Sequence, residues 1–173
     1  VRVYRGAGWE PRLELETTEL RAIWGFSDQE IFAVGRGEGI YRFDGGSWIP
    51  QDVDSGPNLE SVWGGSPEDV FLGGGSGTSG APGEPMFTPP PRTAASPTGR
   101  PAGTLAANTE GYDIWSLWGF SADEVYAVSE DGYVFRYDGQ DWNILPDRAP
   151  MPLRAVWGSS PEHIVAVGFD GGA

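Results

Sequence analysis

The apolar positions of this chain fall into short bursts, and the bursts repeat. Each unit opens on a strand-like run ending in Trp-Gly: LRAIWGF from Leu20, LESVWGG from Leu59, IWSLWGF from Ile114 and LRAVWGS from Leu153. A serine-led polar stretch follows (SDQE, SPED, SADE, SPEH), then a second apolar run (EIFAVG, DVFLGG, EVYAVS, HIVAVG). The second runs are too short for a helix and rich in β-branched and aromatic types, which predicts strands buried on both faces. The serine can hydrogen-bond the turn backbone, and Pro67 and Pro161 carry the φ suited to the first corner of a type I turn. IYRFDG and VFRYDG then alternate in polarity as half-exposed strands do. Asp44-Gly45 and Asp138-Gly139 supply the hairpin turns that lead to a fourth strand at Trp48 or Trp142.

The spacing of these units identifies the architecture. Trp24, Trp63, Trp118 and Trp157 lie 39, 55 and 39 residues apart, and a second aromatic series, Trp9, Trp48, Phe87 and Trp142, lies 39, 39 and 55 apart. One repeat therefore carries 16 extra residues within an otherwise constant period of 39. Self-similarity at this length marks a propeller or solenoid. Four antiparallel strands of falling apolarity per unit predict an all-β propeller, with inner strands packed between neighbouring blades and outer ones facing water.

The ordered WG, turn, strand and DG-x-x-W elements resemble tandem bacterial β-propeller repeats of the pattern WGSSPxDVWAVGxxGxIxRYDGxxW, which occur in secreted and cell-envelope proteins. The resemblance covers the chain outside residues 76–111. It implies a binding or surface domain of secreted or envelope location and names no ligand. Two copies depart from it: Arg5 replaces the hairpin aspartate of the first, and the third lacks the RYDG segment.

The ends are in phase with each other. Val1–Trp9 aligns with IYRFDGGSW as the third and fourth strands of a blade, and Arg154–Gly168 supplies the first two. Closure of a four-bladed ring and membership of a larger propeller are both open on this evidence, as is whether the chain, which lacks an initiator Met, is a mature product or a piece of a longer protein. We treat residues 1–173 as one propeller domain interrupted at 73–111 by an insertion rich in Gly, Pro, Ser, Thr and Ala. That composition cannot bury enough apolar surface to fold alone, so a long surface loop is expected, with a lid or docking arm as the alternative. Phe87 is expected to hold the blade position of the missing Trp.

A net charge of −14 argues against nucleic acid and anionic membrane surfaces, and no apolar stretch is long enough to span a bilayer. No signal peptide is visible. All 11 basic residues are arginine, which a GC-rich genome would explain. The absence of cysteine removes disulfides, thiol catalysis and Cys-based zinc sites. The WG tryptophans are expected in the core, where each removal costs about 3–5 kcal/mol.

Signals of catalysis are few. The single histidine, His163, takes the turn position held by Glu30, Asp69 and Glu124, so it reads as a solvated turn residue. Asp52-Val-Asp54-Ser-Gly56 has the alternating oxygens that open a calcium loop but not the ligands that complete one. It reads as a solvated loop with no cofactor, calcium being the alternative. Ser129-Glu-Asp131-Gly132 approaches a sialidase Asp box with the glycine misplaced.

The repeat serves as its own control, because a position where the copies diverge is freer to serve a ligand. The residue after the first apolar position is Arg21, Glu60, Trp115 and Arg154. These four, with Tyr112 and Phe120, are the candidate ligand-binding residues, since arginine and aromatic side chains supply bidentate and stacking contacts. The competing reading is inter-blade salt bridges and one additional packed Trp. The function expected is a non-enzymatic module binding a protein or glycan. The alternatives are a carbohydrate-active hydrolase or lyase with paired carboxylates, and a purely structural segment.

Overall fold

The computed structural model describes residues 1–4, 6, 8–11, 19–37, 39–51, 58–67, 69–75, 105–106 and 112–169, all of them strand, turn or irregular structure with no helix. β1 (Arg2–Tyr4) and β2 (Trp9–Pro11) pair as an N-terminal hairpin. β3 (Glu19–Ser27), β4 (Glu30–Arg36), β5 (Ile40–Phe43) and β6 (Trp48–Pro50) form a four-stranded antiparallel first sheet in chain order. The second sheet comprises β7 (Asn58–Ser66), β8 (Asp69–Gly75) and β9 (Leu105–Ala106). β10 (Ile114–Ser121), β11 (Glu124–Ser129), β12 (Val134–Tyr137) and β13 (Trp142–Ile144) repeat the first pattern as a third sheet, and β14 (Leu153–Ser160) with β15 (His163–Gly168) make the fourth.

The turn chemistry follows the sequence. Ser27 Oγ accepts from the Gln29 amide at 3.2 Å and Ser121 Oγ from the Asp123 amide at 3.3 Å, closing the β3–β4 and β10–β11 turns. In the hairpins, Asp44 Oδ1 accepts from the amides of Gly46 and Ser47 at 2.9 and 2.8 Å, and Asp138 Oδ1 from Gln140 and Asp141 at 3.0 and 2.9 Å. Gly45 and Gly139 take φ of 92° and 93°, open to glycine without a steric penalty. Outward from the buried middle strands, Arg42 pairs with Glu30 and Arg136 with Glu124.

The sheets pack in sequence order, each against the next. Phe32, Val34 and Ile40 of the first meet Leu59, Val62, Val70 and Leu72 of the second. Trp63 and Phe71 of the second meet Ile114, Leu117, Val125 and Ala127 of the third, and Tyr126 and Val128 of the third meet Leu153 and Val156 of the fourth. The glycine of each WG pair is set by this approach. A Cβ on Gly64 would lie 2.5 Å from Phe26 Cζ, and one on Gly158 would lie 2.7 Å from Phe120 Cζ. In the second sheet Gly65 replaces the phenylalanine, and Trp63 itself moves into the gap, with its Cη2 2.5 Å from where a Gly119 Cβ would stand.

The seams are also tied by hydrogen bonds. Ser61 Oγ accepts from the Leu117 amide at 3.0 Å, and Ser116, at the same position one unit on, accepts from the Val156 amide at 3.3 Å. The first sheet carries Ala22 there.

Two expectations are revised, and the ring closure left open by the sequence is not seen among the described residues. Trp157 is not in the core: it is 52% exposed where Trp63 is 4% exposed, and β15 alternates between half-buried and exposed rather than being buried on both faces. The motif is the same, but among the described residues no sheet covers the fourth one. The 73–111 segment is not wholly loop, because Gly73–Gly75 complete β8 and Leu105–Ala106 pair in parallel with Phe71 and Leu72. A parallel neighbour needs a long crossover, which the 16 extra residues make room for. Phe87 lies outside the described residues. Finally, β1 and β15 belong to separate two-stranded sheets, so the two halves assigned to one blade are not joined among the described residues.

Candidate binding site

Each first strand carries a β-bulge at the same place: the register slips between Leu20 and Ala22, Leu59 and Ser61, Ile114 and Ser116, and Leu153 and Ala155. The residues left unpaired are Arg21, Glu60, Trp115 and Arg154. A bulge re-aims the side chain it frees, and here the freed side chains meet across the seams.

Between the first and second sheets, Glu60 Oε1 accepts from Arg36 at 2.6 Å, and its Oε2 lies 3.7 Å from Arg21, which also pairs with Glu19 at 3.0 Å. The hydrogen bond from Arg36 to Glu60 raises the Arg36 pKa above its ordinary value. Between the third and fourth sheets the polarity reverses: Glu130, at the position of Arg36, lies 3.5 Å from Arg154, at the position of Glu60. The Arg154 guanidinium also lies over the Trp115 ring, 3.7 Å from its centroid, and 5.6 Å from the ring of Phe169. The indole N–H of Trp115 is buried and finds no acceptor among the described residues.

The structure thus brings Arg21 to Glu60 and Trp115 to Arg154 as two equivalent pairs. Tyr112 sits just before β10, edge-on to Tyr133 at 4.9 Å and tilted on Phe135 at 5.4 Å, with Arg148 over Tyr133 at 4.9 Å. Burial pushes its hydroxyl above the usual phenol value. Phe120 stands five residues beyond Trp115, about 17 Å along the strand. It packs edge-on against Tyr126 at 6.2 Å and covers Gly158.

Arg36, Glu130 and Phe169 are participants that sequence reasoning missed. They share one repeat position, just after the second apolar run, and that position diverges among the copies as freely as the bulge position does. Among the described residues no group of three or more acidic or histidine side chains could hold a metal ion, and no helix is long and apolar enough to cross a membrane. The Asp52–Gly56 stretch lies outside the described residues. No protein-family model matches this chain, and no curated protein does.

Proposed function

We propose that this chain is a non-catalytic β-propeller repeat module of a bacterial envelope or extracellular protein, and that it binds a protein or glycan partner through the bulge row of its first strands. The observation that supports this most is the Trp115–Arg154 pair. An arginine held over an indole is already restrained and can offer its fork to a carboxylate or a pair of hydroxyls, so less side-chain entropy is lost on binding. Phe169 beside it is exposed and gives an apolar surface for a sugar ring or an aromatic side chain. Glu130 and Glu60 complement the arginines and disfavour a purely anionic ligand.

The test is a binding screen of the purified chain against arrayed neutral and uronic-acid glycans and a displayed peptide library. Saturable binding that Trp115→Ala weakens while the melting transition is retained supports the reading. A screen without binders, or a folded Trp115→Ala chain with unchanged affinity, rejects it.

A further inference from the structure

Among the described residues the array of sheets has two uncovered ends, and they are complementary. On the fourth sheet Trp157, Val165 and Val167 are exposed, at positions whose equivalents in the second sheet, Trp63, Phe71 and Gly73, are covered by the third. On the first sheet Ile23 is 56% exposed, whereas its equivalents Val62, Leu117 and Val156 are buried. One end is a face that elsewhere receives a neighbour, and the other is the kind of face that neighbour presents.

The match extends to single residues. Gly64, Gly119 and Gly158 are each filled by an aromatic from the preceding sheet, but a Cβ on Gly25 would meet only its own sheet, Ile31 at 3.5 Å and the carbonyls of Ser27 and Glu30. Gly25 is a socket with no knob. The knob is either the phenylalanine two residues after the tryptophan or, where that residue is small, the tryptophan itself, as with Trp63 and Gly65. The fourth sheet has Ser159 and so is of the Trp63 kind. Trp157 is posed accordingly: it lies 6.0 Å from Trp118 at 44°, as Trp63 lies 6.0 Å from Trp24 at 46°. At the rim, Phe169 occupies the position from which Arg36 and Glu130 reach the next sheet's bulge residue. The bulge residue of the first sheet is Arg21, and an aromatic ring facing an arginine is attractive.

We infer that the outer face of the fourth sheet docks onto the outer face of the first sheet of a second copy of this chain, Trp157 entering the Gly25 socket and Phe169 meeting Arg21. Among the described residues of one chain both faces are exposed and two further sheets stand between them in the packing order, so the contact is one between copies and not within a single copy. Two copies that make this contact in both directions form a closed dimer, and a mass that keeps growing with concentration, as in an open filament, overturns that form. β15, bonded only to β14 among the described residues, gains the partner's β1–β2 hairpin as its neighbour, in the strand order that the repeat prescribes.

Light scattering of the full chain across a micromolar concentration series tests this. Twice the chain mass of 18.6 kDa is expected. Gly25→Leu, which fills the socket, and Trp157→Ser should each weaken the dimer about tenfold or more. A monomer throughout the series, or a dimer indifferent to Gly25→Leu, overturns the inference.

Discussion

Ser61 and Leu117 are 56 residues apart in sequence, yet the serine hydroxyl accepts the leucine amide at 3.0 Å across a buried seam. Ser61 is nearly inaccessible, and no solvent replaces the bond once it is lost. Ser61→Ala should therefore destabilise the chain by about 1–3 kcal/mol. Ser116→Ala, with a longer bond at a partly buried position, should lose less. Urea denaturation of the two variants checks the order, and a reversed order would separate the serines from the cohesion of the seams.

The WG glycines make a matched series in which only the neighbour differs. Gly119→Ala must push aside the Trp63 ring and should cost about 1–3 kcal/mol. Gly25→Ala meets no such ring and should change stability by about 0.5 kcal/mol or less. Thermal melts of both at concentrations where the chain is monomeric decide the point. Equal losses would mean that the glycine serves its own strand and not the seam.

Arg36–Glu60 and Glu130–Arg154 are the same contact with the charges exchanged, which makes a swap experiment natural. Glu60→Arg alone should destabilise, since it sets three arginines together. Adding Arg36→Glu should recover part of the loss, and the recovered part should shrink in high salt. A double-mutant cycle run at low and high ionic strength gives the measurement.

The hairpin aspartates set the acid limit. Backbone amide bonds from Ser47 and Gly46 hold the Asp44 carboxyl below the usual carboxylate range, and those from Asp141 and Gln140 do the same for Asp138. A folded value depressed below the unfolded value of about 4 means that the contribution is fully present above that pH and is lost as the pH falls through the lower folded value. The doubly substituted Asp44→Asn, Asp138→Asn chain should be less stable than the original at neutral pH and should converge with it in acid. Denaturation curves at the two pH values show whether the gap closes.

Strands and turns were legible because the signals that specify them are local. The serine of SDQE reaches an amide two residues away, and DG turns need only the conformational freedom of one glycine. What escaped the sequence depends on what stands opposite. Trp63 and Trp157 share a motif and differ thirteenfold in exposure, 4% against 52%, because one has a sheet over it and the other does not. The bulge residues were picked out by their divergence, but their partners were not, since Arg36 and Glu130 lie on other strands at a position that was not compared across the copies. The alternation of Ala22, Ser61, Ser116 and Ala155 was visible too. Its meaning required knowing that an amide from the following sheet points at that position.

Successive packing of the sheets has a mechanical corollary. Each sheet is held chiefly by the one before it and the one after it, so the chain behaves as a one-dimensional array whose cohesion is close to a sum over neighbouring pairs. Within a single copy, and among the described residues, the second and third sheets have cohesive neighbours on both sides, while the first and fourth have one each. Opening then starts at the termini and proceeds inward, and amide exchange should be slowest at Phe71 and Val125 and fastest along β15.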